Sequence, residues 1–269
     1  MRKIKLLFQY FEMFVLSVLV LGLTLLCVLK FTILDKNYVL SMYDEKHYKE
    51  VEEFLKSEMQ KSMISTGISS SVIDDMFTAS DVKKSTEEVL SILYDDNKQK
   101  LDVSSIEEKL RSNIDKDLKE KQFTLSDTEG YEEFVKSIMD IYKGEFLILN
   151  QTMKISKGIH LVNKYLNLAI IILGILILIY LVILILRKKF LQYVPVSLFF
   201  TSFLIIFSIY YSDVKVGFRN ITIISESFSE IIRKIISTTF QVCLILVVVY
   251  LILGIILILF QRGKKKVKS

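Results

Sequence analysis

Four long runs of apolar residues constrain this chain more than any other feature. Each run is about 17–26 residues long, which at ~1.5 Å per residue is enough to cross a hydrocarbon core of roughly 30 Å. Backbone amides in lipid must be paired within their own segment, so each run is predicted to form a helix. None contains Asp, Glu, Lys, Arg or His, and we predict four transmembrane helices at 13–29 (or to Leu34, with Lys30 reaching the interface), 168–186, 190–211 and 235–260.

The composition fits apolar blocks set in a charged chain. Of the 269 residues, 52% are hydrophobic and 24% are charged, and the mean hydropathy is +0.44. A soluble domain spreads its apolar residues at helical or strand spacing instead of concentrating them. One proline and two cysteines exclude Pro-rich disordered chains and disulfide frameworks.

The basic residues predict the orientation in the membrane. Three basic residues precede the first run, three separate the second from the third, and five follow the fourth, with Glu12 the single acid among them. The segment 35–167 instead holds 19 basic and 26 acidic residues. An even number of spans puts both termini on one side, and the positive-inside rule makes that side cytoplasmic. We predict a multi-pass protein of the cell membrane, with the lipid bilayer as its surroundings. The net charge of +5 follows from this topology and indicates no nucleic-acid partner.

The predicted fold class is an all-α integral membrane protein, with four transmembrane helices and an extracytoplasmic helical bundle inserted between spans 1 and 2. No small-x-small cleavage site follows the first run, so that run is expected to remain as an anchor. The predicted segments are a cytoplasmic N-terminus with the first span (1–34), the extracytoplasmic helical domain (35–164), the second span with a cytoplasmic turn (165–189), the third span (190–211), an external loop with an amphipathic helix (212–234), the fourth span (235–260) and a basic cytoplasmic tail (261–269).

Helical periodicity runs through almost all of the external domain. Strand-type alternation is scarce, and Cys27 and Cys243 both fall within spans, so the domain must be held together by core packing. An antiparallel helical bundle follows. Its first helix carries Tyr48, Val51, Leu55, Met59 and Met63 and ends near Gly67; further helices are predicted to begin at Ser69–Ser71, at Ser80 or Asp81, at Ser104 in a capping box with Glu107, and at Ser126, Asp127 or Thr128.

Candidate metal ligands are few. His47 lies near Asp44, Glu45 and Glu50, a set that could hold a divalent cation. The same residues are also typical of a solvated, mixed-charge helix face, which is the interpretation we favour. The run Asp95-Asp96-Asn97 lacks the spacing of a calcium loop and is interpreted as a solvated turn.

Catalytic patterns are not found in the sequence. HExxH, GxSxG, P-loop and GxGxxG motifs are absent, and adjacent acids such as Glu107-Glu108 and Glu132-Glu133 diverge by about 100° on a helix instead of forming a dyad. We predict no catalytic, cofactor-binding or metal-binding residue and no cofactor. The glycosylation sequons at Asn150 and Asn220 are interpreted as chance matches, because the Ile/Lys-rich composition is typical of a Gram-positive bacterium.

One span, a large external domain and three further spans form a layout that resembles the permeases of the cell-division and macrolide-export ABC systems. The resemblance implies a mechanotransmitting permease subunit that works with an ATPase. The all-helical external domain and the lack of an amphipathic cytoplasmic helix before the first span depart from that pattern. Our first hypothesis is a non-enzymatic protein whose external domain binds a protein partner, as an accessory, scaffold or sensor subunit; the permease subunit is the alternative.

The two cysteines lie at similar predicted depths. Cys27 is about seven residues inside Leu34, and Cys243 is about eight inside Ile235, so both lie near 10–12 Å below the outer boundary. If the first and fourth spans are neighbours, the two thiols could meet. Otherwise each is an ordinary small apolar residue that can face lipid.

Overall fold

The computed structural model describes residues 2–64, 66–95, 101–122, 128–146, 152–217 and 226–266. Helices dominate these residues and no strand occurs among them, so the predicted all-α class is confirmed there. The chain divides into two compact units. The membrane unit falls within 1–35, 162–222 and 232–269, and the polar unit within 36–161 and 223–231.

Four helices are long and apolar enough to cross a membrane, as predicted. Three of them extend beyond the predicted runs, because helical hydrogen bonding continues where the hydropathy falls. The helices are α1 (Arg2–Phe31), α7 (Thr152–Leu186), α8 (Phe190–Tyr211) and α9 (Glu226–Lys266), and their candidate spans are Leu6–Phe31, Ser156–Leu186, Phe190–Lys215 and Ser229–Gly263.

Small hydroxyl residues join α1 to α8. The Ser197 Oγ donates to the Met13 carbonyl at 3.0 Å, and the Thr201 Oγ1 donates to the Ser17 carbonyl at 3.1 Å. Helices in lipid have no hydrophobic drive to associate, so close approach and interhelical hydrogen bonds hold them together. These two bonds explain why α1 and α8 form the most extensive helix contact of the membrane unit.

Helix α9 contacts α8 at a glycine and α1 at a tyrosine. A Cβ atom on Gly254 would lie 3.0 Å from the Phe199 ring, so only glycine permits this approach without a shift. The Tyr250 hydroxyl lies 2.6 Å from Thr24 Oγ1 on α1. The two contacts fix α9 near the middle of its length.

The two cysteines do not occupy equivalent positions. Cys243 is buried in a cluster with Val28, Ile205 and Val247, whereas Cys27 is only half-buried. Successive helix residues point about 100° apart, so Val28 and not Cys27 takes the place beside Cys243. The first and fourth spans are neighbours at this cluster. The cluster contains Cys243 but not Cys27, so the two thiols are not brought together in it.

The polar unit contains α2 (Lys36–Leu40), α3 (Glu45–Met63), a 3₁₀ helix (Ser70–Ile73), α4 (Ala79–Tyr94), α5 (Ser104–Glu120) and α6 (Thr128–Phe146). All five apolar residues predicted for the first helix are buried on α3. The core also includes Phe77, Leu110, Ile114 and Ile138, each almost inaccessible to solvent. Tyr142, a fully buried member of this core, shares a 2.9 Å hydrogen bond with Ser85.

Several predicted helix ends are wrong. Helix α4 is capped by Thr78, whose N–H donates to Asp81 Oδ2 at 3.0 Å, so Asp81 lies in the first turn and does not begin the helix. Helix α5 begins at Ser104, as predicted, but its N-cap is Val103, so the expected capping box with Ser104 as the cap is wrong. The Ser104 N–H donates to Asp102 Oδ1 at 3.0 Å. Gly67 has a φ of +76°, but α3 already ends at Met63.

The segment 212–234 contains no separate amphipathic helix among its described residues. Ser212–Val216 forms a π-helical turn that continues α8. Helix α9 then begins at Glu226 and passes position 235 without a break. The predicted amphipathic helix is therefore the N-terminal part of α9. The sequons at Asn150 and Asn220, and the helix-start candidates Ser126 and Asp127, lie outside the described residues.

Candidate functional site

A surface groove between α5 and α6 is lined mostly by charged side chains. We call it the charged groove. Its volume is about 350 Å³. Two buried apolar side chains, Val135 and Met139, contribute to its lining. The remaining lining residues are Glu107, Arg111, Glu129, Glu132, Glu133, Lys136 and Lys143.

Arg111 organises the charged groove by joining α5 to α6. Its Nη1 and Nη2 donate to Glu132 Oε1 and Oε2 at 2.7 and 2.8 Å, and its Nε donates to Glu107 Oε1 at 3.1 Å. The guanidinium carbon also lies 5.6 Å from the centre of the Tyr131 ring. A planar fork that binds one carboxylate with two parallel bonds is fixed more firmly than an ammonium group.

This arrangement keeps both partners charged. The hydrogen bonds from Arg111 hold the pKa of Glu132 below its usual range. The hydrogen bonds to Glu132 and then Glu107 raise the pKa of Arg111. The charged groove therefore presents fixed charges of both signs throughout the neutral pH range.

Sequence reasoning missed the role of Arg111. The acidic pairs were expected to diverge, and one member of each pair binds the same arginine: Glu107 on α5, the helix of Arg111, and Glu132 on α6. The spacing of Glu107 and Arg111, four residues apart on one helix, was an available signal. The approach of Glu132 depends on tertiary packing and has no local signal.

His47 lies in the polar unit at a position that contradicts its predicted solvated setting. Its side chain is buried, with the ring 5.2 Å from that of Tyr43 in an edge-on contact. Asp44 caps α3 by accepting the His47 N–H at 2.9 Å, while Glu45 and Glu50 are exposed. Over the described part of the chain, no three His, Cys, Asp or Glu side chains lie close enough to hold a metal ion.

Asp95 forms an ion pair with a lysine side chain. Lys36 Nζ forms an ion pair with Asp95 Oδ2 and also donates to Ser91 Oγ at 2.9 Å. The Asp95 side chain is 46% exposed, which agrees with the solvated-turn interpretation at this residue. Asp96 and Asn97 lie outside the described residues.

A second polar cluster, the Glu12 cluster, lies in the membrane unit. Glu12 is 12% exposed and pairs with Arg187 Nη1 at 2.9 Å and with Lys189 Nζ at 3.7 Å. The Tyr180 hydroxyl donates to the Glu12 carbonyl at 3.0 Å, and Lys189 Nζ donates to the Tyr193 hydroxyl at 2.8 Å. The one acid among the basic flanking residues thus joins α1 to the α7–α8 turn.

No family model, curated protein or solved structure matches the chain. The charged groove and the Glu12 cluster are therefore the two features from which a function can be argued. The Glu12 cluster connects helices within one unit and is satisfied largely by internal partners. The charged groove opens to solvent and is the better candidate for recognition.

Proposed function

We propose that this chain is a non-enzymatic, multi-pass protein of the cell membrane whose polar unit lies outside the cytoplasm and binds a protein partner. The role is that of an accessory, scaffold or sensor subunit. The observation that carries the proposal is the charged groove, with its fixed arginine. Seven charged side chains line it above the buried Val135 and Met139, and fixed charges of both signs select a partner by electrostatic complementarity.

A protein segment fits the charged groove better than a small apolar ligand. Small-molecule pockets are lined mostly by apolar and aromatic side chains, whereas seven of the nine lining residues here are charged. The Glu132 side chain remains 61% exposed despite its bond to Arg111, so it is available to a partner. Arginine is also enriched at protein interfaces.

The groove is organised before any partner arrives. Arg111 is already held by Glu107 and Glu132, so the loss of its side-chain entropy on binding is smaller. Side-chain ordering costs about 0.5–1.5 kcal/mol for each long side chain fixed on association. A preformed arginine therefore favours a specific partner.

The orientation in this proposal comes from the basic residues. Arg187, Lys188 and Lys189 lie in the turn between α7 and α8, and Arg262 lies near the end of α9. The positive-inside rule assigns these ends to the cytoplasm. With four spans, the segment between α1 and α7 is then on the opposite side.

The permease alternative rests on the layout of one span, a large domain and three further spans. The resemblance implies a mixed fold outside the membrane, while the described residues of the polar unit form helices and turns without a strand. The experiment below includes a result that would favour the permease.

Co-purification of the full-length protein in mild detergent tests the proposal. The double variant Lys136→Glu/Lys143→Glu reverses both lysines of the charged groove, and Lys83→Glu/Lys84→Glu on α4 makes the same change outside it. We expect quantitative mass spectrometry to find a protein partner whose recovery falls at least tenfold for the groove variant and is unchanged for the control. Equal recovery with both variants would remove the groove as the binding surface, and an ATPase recovered equally with both would favour the permease.

A further inference from the structure

The membrane unit contains an apolar cavity that is separate from the charged groove and the Glu12 cluster. It opens between α1, α8 and α9 and has a volume of about 390 Å³, within the ~300–1,000 Å³ range of ligand pockets. We call it the three-helix groove. Its lining residues are Leu25, Val28, Leu29 and Ile33 from α1 and the turn after it, Ile205, Ser208, Ile209 and Ser212 from α8 and its continuation, and Ile236, Thr239, Phe240 and Cys243 from α9.

The groove is closed at one end and runs along the helices. The cluster of Val28, Ile205, Cys243 and Val247 packs at its closed end, and the Thr24–Tyr250 hydrogen bond joins α1 to α9 beyond that cluster. From there each helix contributes about two turns of lining, which at ~1.5 Å per residue gives a length near 10–12 Å. The shape is that of a short slot parallel to the spans.

The lining chemistry selects an apolar occupant. No lining residue is charged, and the polar ones are three hydroxyls. One of these, Thr239 Oγ1, already donates to the Ile235 carbonyl at 2.7 Å. A water molecule needs two to four polar partners, and this lining offers few to it.

The surroundings of the groove favour one polymethylene chain as its occupant. All but one of the lining residues lie within the candidate spans, so acyl chains are the surrounding medium.

The open end of the groove carries an excess of positive charge. Lys215 lies three residues after Ser212, and Arg233 and Lys234 lie two to three residues before Ile236. Two acids, Asp213 and Asp35, also lie within two residues of the lining residues Ser212 and Ile33. Long basic side chains place their stems along apolar surface and their charges at the interface, where they attract anionic lipid headgroups.

We propose that the three-helix groove is a lipid site, which holds one acyl chain of an anionic phospholipid with its headgroup at Lys215 and Lys234. The apolar slot gives affinity for the chain, and the two lysines distinguish an anionic from a zwitterionic headgroup. This site is independent of the partner proposed for the polar unit.

Photolabelling of the unmodified full-length protein tests the site directly. The probe is phosphatidylglycerol with a diazirine on one acyl chain, mixed into phosphatidylcholine–detergent micelles, and labelled residues are mapped by mass spectrometry. We expect labelling of Phe240 and Ile209 to exceed that of Leu176 and Ile179 on α7 at least fivefold, although both α7 side chains are about half exposed. Equal labelling of the two sets would show a general lipid boundary and overturn the proposal.

A matched pair of variants tests occupancy. Ser208→Phe fills the groove, and Ile206→Phe places the same ring two residues away at an exposed position outside the lining. Native mass spectrometry is expected to show at least tenfold less retained phosphatidylglycerol for Ser208→Phe than for Ile206→Phe. Equal retention overturns the proposal, and if Ser208→Phe does not fold, the photolabelling of the unmodified protein decides.

A separate double variant tests the assignment of the headgroup to the two lysines. Lys215→Gln/Lys234→Gln is expected to reduce the preference for phosphatidylglycerol over phosphatidylcholine at least fivefold while acyl labelling of Phe240 persists. An unchanged preference would contradict the assignment of the headgroup to these lysines.

Discussion

At the scale of single residues, Asp117 fixes the turn that precedes the 3₁₀ helix. Its Oδ2 accepts the Ser69 N–H at 3.1 Å and Lys121 Nζ at 2.9 Å, and Lys121 also donates to the Gly67 carbonyl at 2.9 Å. Burial favours the neutral carboxyl, but the hydrogen bonds from Ser69 and Lys121 outweigh it and hold the pKa of Asp117 below its usual range. The ionised form of Asp117 therefore stabilises the fold.

Replacing Asp117 with asparagine should cost stability in a pH-dependent way. Because the folded pKa is depressed, the contribution is fully present above the unfolded value near ~3.9 and is lost as pH falls through the folded value. We expect Asp117→Asn to lower the free energy of local unfolding by about 1.5–3 kcal/mol at pH 7, measured by hydrogen exchange of α5 amides. The loss should shrink as the pH falls below 4, and Asp115→Asn, at an exposed position, should have little effect. An equal loss for Asp117→Asn at both pH values would contradict the account.

Glu12 has the corresponding role in the membrane unit. Glu12→Gln removes the charge that pairs with Arg187 and Lys189. Since Arg187 is 55% exposed, solvent screens part of the interaction, and we expect a loss of about 1–2 kcal/mol. The midpoint of thermal unfolding in detergent micelles should fall for Glu12→Gln and stay constant for Glu53→Gln, an exposed control. Equal midpoints would show that the cluster does not contribute to stability.

His47 and Arg111 show what the sequence does not contain at this scale. The ring of His47 is buried against Tyr43, and Arg111 binds a carboxylate from another helix. Both facts depend on which helix faces are brought together. Local charge patterns describe only the helix on which they occur. They predicted a solvated face for His47 and gave no role to Arg111.

At the scale of helices, the periodic spacing of apolar residues is sufficient to predict which side chains are buried where the core face is continuous. The buried residues of α3 were predicted in full, because apolar spacing on one helix is a local property. Helix boundaries were less predictable. Thr78 and Val103 are the N-caps in place of the expected residues, because several neighbouring residues can each take that position. The Ser17, Ser197 and Thr201 contacts were also missed, since small hydroxyl residues do not change the hydropathy of a span.

Gly254 offers a test of how α9 packs. A side chain at this position would meet the Phe199 ring, whereas a Cβ on Gly174 of α7 meets no atom within 4 Å. We expect Gly254→Leu to lower the thermal midpoint of the full-length protein in micelles, with a loss of about 1–3 kcal/mol from overpacking. Gly174→Leu makes the same change on a lipid-facing surface and should be neutral. If both variants unfold at the wild-type midpoint, α9 does not approach Phe199 closely.

At the scale of the whole molecule, the proposed topology has four helices that cross the membrane. The four helices have the length and hydropathy for this, and an even number of crossings puts the two ends of the chain on one side. In the orientation that we propose from the basic residues, the polar unit is outside the cytoplasm. The proposed partner binding depends on that placement, because the charged groove must be accessible to an external protein.

Thiol accessibility in intact cells is the most direct test of this arrangement. In a background with Cys27→Ala and Cys243→Ala, single cysteines are introduced at Glu53 in the polar unit and at Arg262 near the end of α9, both exposed positions. We predict that a membrane-impermeant maleimide labels the Glu53→Cys protein in intact cells and labels the Arg262→Cys protein only after the membrane is opened. Labelling of Arg262→Cys alone in intact cells would invert the topology. Labelling of both would require an even number of crossings between Glu53 and Arg262 in place of the three proposed, and either result contradicts the proposed topology.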